Sequence, residues 1–505
     1  MSGKLFSKFF FFIVFICCGL PLKAQLINHY WTQNFNSTSS LIGGAVVAGD
    51  GENSSIYYNP ATIVEMEQGS NVSLAANLFS WNVYRNYNAL GTGNNLYNTN
   101  FQVQPQFVSF TYKPPKGNVS YAFSVLTRIK EDLETDFASS QDYNVLPNYP
   151  GKEMYNSLFS YRNNYADTWV GFGLGQKLKN GFSYGVTLFV SASGLTYHLG
   201  YNTTAYKFTD SSFTQYDHSA IAQSAYEESM KFYQYRIISK LGLAYKHDKW
   251  RFGLVITIPS LNIFSSGRTA SRSQLQSNIR NEEGQLVSEY LIFSVQEKKQ
   301  LTANYKYPFA ASFGFIREFR NGDQKLYFTM EYFNKIKPYS MLGAEINPNI
   351  TSPQVYDTMQ NKDYLSFAYK ADPVLNFAIG YSWKIKNELT FLNAFRTDFS
   401  SVQNLTSSEL NGYNFMKTAT YNVYHYSAGI NFNWKKNTFI AGGEFSFGYT
   451  GDQPQFANFN NPVEYNSETG VALQGPQQNN AYLRYYGVSI YISATLNFIS
   501  KKNKE

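Results

Sequence analysis

Between positions 488 and 498 apolar and polar residues alternate without a fault: Val488, Ile490, Ile492, Ala494, Leu496 and Phe498 fall on one face, Ser489, Tyr491, Ser493, Thr495 and Asn497 on the other. Successive side chains of a strand project to opposite faces, so alternation over about ten residues closed by an aromatic predicts a membrane strand facing lipid on one side and water on the other. The pattern recurs from about Ser70 onward. It predicts strands over 72–81, 106–112, 119–128, 168–176, 182–192, 235–245 and 250–258, then over 305–316, 326–333, 375–383, 389–399, 424–434, 439–449 and 486–498. Two further runs, 291–295 and 364–369, lie inside long connections and read as strand extensions or loop hairpins.

The connections are of two sorts that take turns. Short polar ones, such as Lys179-Asn180-Gly181 and His247-Asp248-Lys249, alternate with long ones rich in Asn, Ser, Gln and Tyr. Short periplasmic turns and long outer loops are the signature of an up-and-down barrel. The predicted fold is therefore all-β: a transmembrane antiparallel barrel of about 14 strands over 71–499, with an N-terminal hatch over 25–70 in its lumen and a short polar tail over 500–505. An even strand count puts both termini on the periplasmic side.

Composition agrees. Aromatics are 18% of the chain and charged residues 15%, against about 25% charged in ordinary soluble domains. Lys4 and Lys8 precede an apolar run over 9–20 that is too short to span a bilayer as a helix, and Leu22-Lys23-Ala24 offers a cleavage site, so 1–24 reads as an export signal. Both cysteines, Cys17 and Cys18, fall within it, and the residues before Cys18 do not suit lipidation. Removing the signal takes the formal charge from +7 to +4, which gives no reason to invoke nucleic acid. The expected location is the bacterial outer membrane, among its lipid and lipopolysaccharide.

Residues 25–69 do not alternate. Their middle reads Gly43-Gly44-Ala45-Val46-Val47-Ala48-Gly49-Asp50, then Ser54-Ser55-Ile56-Tyr57-Tyr58-Asn59-Pro60-Ala61. Glycines allow close backbone packing and positive φ, and Pro60 fixes a turn, which suits a compact plug. On these residues the sequence resembles the FadL-like family of outer-membrane transporters for long-chain fatty acids and other hydrophobic compounds. In that family a Gly/Ala-rich hatch carrying Asn-Pro-Ala precedes a fourteen-stranded barrel, and Asn59, Pro60 and Ala61 match the motif directly. The resemblance implies passive uptake of a hydrophobic small molecule: capture among the outer loops, passage to a lumenal pocket, movement of a hatch that includes Gly43, Gly44, Asn59, Pro60 and Ala61, and lateral exit into the membrane. It implies no cofactor. The family's lateral opening goes with a kinked third strand, yet 119–128 holds neither Gly nor Pro; Pro105, on the preceding strand, cannot donate a ladder hydrogen bond.

Two long connections are candidates for the capture groove. Residues 219–233 read as a short helix with Ala222, Tyr226 and Met230 on one face, and 271–283 sets Leu275 beside Ile279. Glu331, Glu444 and Arg396 sit off the lipid-facing series and are expected on the inner wall, paired with each other or holding the hatch. The acids Glu131, Asp132, Glu134 and Asp136 read as a solvated loop without the spacing of a calcium site, and the five histidines show no metal-ligand spacing. Gly181-Phe182-Ser183-Tyr184-Gly185 matches the hydrolase Gly-x-Ser-x-Gly pattern, but Ser183 lies early in an alternating strand rather than at a strand-to-helix turn. The competing function is a barrel that docks a secretion-system protein and carries no small molecule, which needs a lumen lined mainly by polar groups. A lipase ranks a distant third, because it needs Ser beside His on the lipid-facing wall and the sequence signals no such pair.

Overall fold

A computed structural model describes residues 28–498 except 32–34, 36, 50–51, 148–150, 208–219, 281–285, 344–365, 403–413 and 467–470. The export signal and the polar tail lie outside the described residues. Strands follow one another as β1 (Gly69–Tyr87), β2 (Leu96–Lys113), β3 (Val119–Tyr143), β4 (Glu153–Lys177), β5 (Phe182–Lys207), β6 (Ala220–His247), β7 (Trp250–Thr257), β8 (Leu261–Arg280), β9 (Leu286–Leu301) and β10 (Ala310–Phe319). The chain continues through β11 (Gln324–Phe333), β12 (Ile336–Leu342), β13 (Phe367–Ala371), β14 (Val374–Lys386), β15 (Leu389–Asp398), β16 (Asn422–Trp434), β17 (Asn437–Gln453), β18 (Val463–Asn466), β19 (Val471–Gln474) and β20 (Ala481–Phe498).

Fourteen of these, β1–β7, β10, β11, β14–β17 and β20, pair antiparallel in a ring that β1 and β20 close. Each coincides with one of the predicted segments. The wall alternates as its sequence does: along β5, Phe182, Tyr184, Val186, Leu188 and Val190 are exposed, while Ser183, Thr187 and Ser191 are buried. The exposed Trp383 and Trp434, with the half-buried Trp250, mark the lower rim of this apolar band, and Trp81, Tyr235, Tyr426, Tyr449 and Tyr486 the upper one. Such paired aromatic girdles are how a barrel seats itself in a bilayer.

Beyond the upper girdle the wall is uneven. β3, β4, β5 and β6 run 25, 25, 26 and 28 residues, whereas β10, β11 and β15 run 10 each. About ten residues suffice to cross the hydrocarbon, so the long strands continue well outside it. There β8 pairs with β6 above β7, and β9 folds back on β8. The run 291–295 is thus part of a loop hairpin, and 364–369 overlaps β13, which pairs with β12.

The long strands overturn two expectations. Residues 220–233 are strand, not helix, and so are 271–280. Ala222, Tyr226 and Met230 recur every fourth residue, a spacing that shares a face in a strand as well as in a helix. The acids at 131–136 are likewise not a loop but the continuation of β3, with Glu131 turned inward and Asp132, Glu134 and Asp136 outward.

Candidate functional site

The N-terminal segment fills the lumen at the level of the apolar band. Two short helices, α1 (Ser37–Leu41) and α2 (Ser55–Tyr58), and a 3-10 turn over Pro60–Glu65 carry almost entirely buried residues. The wall makes room for them with glycines on its inward face. Gly175, Gly185 and Gly242 face Asn59-Pro60-Ala61, Gly253 and Gly314 face Val47, Gly380 faces Ile42, and Gly429 and Gly442 face Leu41. A Cβ at Gly175 would lie 2.8 Å from the Pro60 carbonyl oxygen, and one at Gly380 2.8 Å from Ile42 Cβ. At Gly185, Gly242 and Gly253 it would run into plug backbone or the Asn59 side chain.

Asn59 is the most heavily bonded residue of the motif. Its Nδ2 donates to the carbonyls of Val47 (2.7 Å) and Leu243 on β6 (3.0 Å), and its Oδ1 accepts from the Ala61 N–H (3.0 Å), capping the 3-10 turn that Pro60 opens. One amide thus joins both halves of the plug to the wall. Ala61 is fully buried, with its backbone nitrogen close against Gly185 and Gly242. Gly43 and Gly44 adopt φ of 64° and 76°, a left-handed turn that other residues resist, and with Val47, Tyr57, Lys240 and Glu331 they line a small cavity between plug and wall.

Removing a buried partner strands what it satisfied, at about 1–3 kcal/mol per group. Asn59→Ala is therefore expected to loosen the plug while the barrel stays folded. Limited proteolysis of the heat-modifiable form checks this: the N-terminal segment should be cut at least about tenfold faster than in the wild type, with Asn59→Asp, which keeps the acceptor, in between. Equal cleavage rates would show that Asn59 does not hold the plug.

A second anchor answers what the inner-wall charges do. Arg396 donates to both oxygens of Glu444 (3.0 and 3.3 Å) and also to the carbonyl of Trp31. Trp31 in turn donates its Nε1 to Glu331 (2.5 Å) and its N–H to Asp398 (3.0 Å), and His29 Nδ1 lies 3.3 Å from Asp398. The three charges expected on the inner wall are all there: Arg396 pairs with Glu444 while gripping the plug at Trp31, and Glu331 holds the plug through the Trp31 indole. A buried pair of this kind is costly to break, about 3–5 kcal/mol when one partner is lost. Sequence reasoning missed His29, Trp31 and Asp398, together with Lys240, whose Nζ donates to the Tyr57 carbonyl (2.9 Å) and sits 4.0 Å from the Tyr57 ring. Burial pushes the phenols of Tyr30, Tyr57 and Tyr58 above their ordinary range, so these plug residues stay neutral.

The wall is incompletely laced between β2 and β3. Their ladder runs only from Phe107↔Leu126 to Tyr112↔Tyr121, although both strands continue outward. It ends where each strand carries an irregularity: the β1–β2 register shifts between Ala75 and Ala76, which pair with Phe107 and Pro105, and the β3–β4 register shifts between Thr127 and Ile129. Bulges of this kind bend a strand and terminate pairing. Above that point side chains span the gap: Asn100 donates to the Asp132 carbonyl, Asn98 to that of Glu134, and Thr135 to that of Tyr97.

Behind this seam, toward the outer mouth, lies a small, mainly apolar chamber whose lining also includes Asn86, Asn98 and Thr135. Tyr84, Leu96, Leu133, Tyr161, Phe456 and Leu483 line a cavity that reaches the β2 and β3 arms, within a larger aromatic cluster. Loops from the short side lean over it: Leu342, Phe367, Tyr369, Phe459 and Leu473 belong to the same cluster, and Tyr155 on β4 donates to the Leu473 carbonyl (2.7 Å). Ala222, Tyr226 and Met230 face inward here, Ala222 and Met230 in the cluster and Tyr226 packed against it. Leu275 pairs across from Ser224 on that face; Ile279 follows on β8 with its side chain outside the described residues. Between Tyr226 and Met230, the buried Glu228 accepts from Tyr197 (2.6 Å) and Tyr226 (2.7 Å).

The structure places a serine beside a histidine on the outward face, though beyond the upper girdle rather than on the lipid-facing wall: Ser160 Oγ lies 3.1 Å from His198 Nε2. Both belong to the part of β4 and β5 beyond the upper girdle, and their backbone amides are committed to the ladders on either side, which leaves no pair of donors to receive an oxyanion. Ser183 lies inside β5, buried, as its alternation predicts. Among the described residues no group of acids, histidines or cysteines could hold a metal ion.

No family model matches the sequence, and no curated protein does. Solved structures do match in fold. The toluene transporter TodX of Pseudomonas putida is similar over 92% of this chain and 99% of its own, at 10% identity and a TM-score of 0.54. A FadL homologue of Pseudomonas aeruginosa is similar over 93% and 100%, at 11% identity and a TM-score of 0.53. In fold, the chain is thus similar to the FadL-type barrels, fourteen antiparallel strands closed around an N-terminal plug.

Proposed function

We propose that this barrel lies in the bacterial outer membrane and carries hydrophobic small molecules inward without an energy source. The solute is captured in the aromatic chamber, held against Tyr226, Met230 and Leu275 among others, and leaves sideways through the β2–β3 seam into the hydrocarbon. The plug, with Gly43, Gly44, Asn59, Pro60 and Ala61, is the gate. The observation that carries this reading is the coincidence of the chamber with the seam: Leu96 and Leu133 line the chamber and belong to the two arms that lack a ladder. A sideways exit keeps an apolar solute out of water, where roughly 25 cal/mol per Å² of its buried surface would be forfeited.

The chamber's make-up supports a neutral or aromatic solute, or the chain of a fatty acid, over a polar one. It also weighs against a docking barrel, whose lumen would be mainly polar. The proteins similar in fold include one described as a toluene transporter and one as a FadL homologue. The test is to purify the protein from outer membranes in mild detergent and identify co-purifying small molecules by mass spectrometry, alongside uptake of labelled toluene and oleate by cells that carry or lack it. A near-stoichiometric apolar ligand and several-fold faster uptake are expected. A co-purifying secretion protein, with neither ligand nor uptake, would replace this reading by the docking one.

A further inference from the structure

Just above the upper girdle, at the junction of β1 and β20 that closes the barrel, two arginines face each other. Arg85 and Arg484 are directly opposite in register, and both are exposed on the outer face. Side chains so placed have Cβ atoms about 5 Å apart, and like charges there destabilise the sheet. Their neighbours on that face do not relieve this. Along the strands they are Val83, Tyr87, Tyr482 and Tyr486, and across them Tyr97 on β2 and Tyr449 on β17. None is an acid, and among the described residues neither arginine has a carboxylate within ion-pair distance. The exposed arginines on the tall side of the wall differ: Arg162 pairs with Glu134 (2.7 Å), Arg272 with Glu227 (3.5 Å) and Arg268 with Glu297 (3.8 Å).

Height and surroundings point to the occupant. Arg484 is one outward-facing step beyond Tyr486, and Arg85 two steps beyond Trp81, both of the girdle. The level is that of the lipid headgroups of the outer leaflet. Flat rings flank the charges: Tyr87 and Tyr482 stack at 4.7 Å, and the Arg484 guanidinium lies 5.7 and 5.8 Å from their centres. Guanidinium forks match phosphate oxygens bidentately, and tyrosines suit a boundary that is apolar below and wet above.

We propose that Arg85 and Arg484, framed by Tyr87 and Tyr482, bind the phosphorylated sugar headgroup of one lipopolysaccharide molecule at the barrel's closing seam. The bound phosphates neutralise the arginine pair, which turns an unfavourable contact into a point of attachment. This rests on the outer-membrane location proposed above, and not on transport.

The test uses full-length protein in detergent and native mass spectrometry with bisphosphorylated lipid A as probe, beside 4′-dephosphorylated lipid A and phosphatidylglycerol. The wild type should retain one lipid A. R85Q/R484Q should bind it at least about tenfold more weakly, while R162Q binds like the wild type and both keep heat-modifiable mobility and wild-type uptake. Loss of one phosphate from the lipid should weaken binding to the wild type more than to the double variant. Equal binding by R85Q/R484Q, equal affinity for phosphatidylglycerol, or no lipid A on a folded protein recovered from the outer membrane would each overturn the proposal. Failure of the location itself reads out separately, as absence from the outer-membrane fraction.

Discussion

Gly185→Leu is expected to dislodge the plug and leave the barrel standing. The inward Cβ at this position has no free volume, because Pro60 and Ala61 backbone already occupies it. Backbone cannot swing aside as a flexible side chain can, so the plug must move as a body. Overpacking a close-packed contact costs about 1–3 kcal/mol, and adding Gly253→Leu, which meets Val47 and Ala48 on another part of the plug, should add a similar amount. The wall's own stability comes from its ladders and its lipid-facing band, which neither change touches. In planar bilayers the double variant should conduct small ions in long openings while the wild type stays nearly closed, and cells carrying it should become about tenfold more sensitive to a large hydrophilic antibiotic. Gly194→Ala is the control: its Cβ would find only the Phe232 carbonyl at 3.7 Å, so it should be silent in both assays. A double variant that conducts like the wild type would mean that the plug has space to retreat within the lumen.

The second large effect concerns the seam. The sequence contains cysteine only at positions 17 and 18, so a pair introduced at Asn100 and Asp132 meets no other thiols from position 19 onward. Asn100 already reaches the Asp132 carbonyl, and a short thiol-reactive linker with a reducible centre should span the two strands. Linked protein is expected to take up hydrophobic solute at least about tenfold more slowly, and reduction should restore the rate. The single variant N100C, treated in the same way, should be unaffected. Undiminished uptake after linkage would place the exit elsewhere in the wall. The two experiments separate two routes, since the plug change opens a path for water-soluble compounds and the staple closes one for apolar compounds.

How much of this could be read from the chain follows from what each part is packed against. The membrane-crossing segments were legible because lipid on one side and a wet or plugged lumen on the other impose a period of two, as in β5 and β20. The extensions of β3 and β6 were not. Away from lipid, exposed positions accept any polar residue, so the acids of 131–136 resemble a loop, and a four-residue spacing such as 222, 226 and 230 fits either element. The motif at 59–61 and the glycines at 43 and 44 stand out in the sequence, whereas the wall residues they pack against do not. A signal for them was present. Gly185, Gly242 and Gly253 occupy the polar phase of strands whose other phase is apolar, and a lone glycine within a strand often marks a close backbone approach. His29, Trp31 and Asp398 carried no such mark, because their pairing spans more than 360 residues of sequence.

The unequal strand lengths have a bearing on how the barrel meets its neighbours. β6 exceeds β10 by 18 residues, which amounts to roughly 60 Å of extended chain. The described strands therefore rise unevenly around the mouth, with a tall side formed by β3 to β6, β8 and β9 and a low side at β10, β11 and β15. A mouth with one tall side has a heading in the plane of the membrane. A neighbouring barrel on the tall side would meet extended strand well outside the bilayer and one on the low side would not, so the orientation of this barrel among its neighbours decides which of its strands they touch.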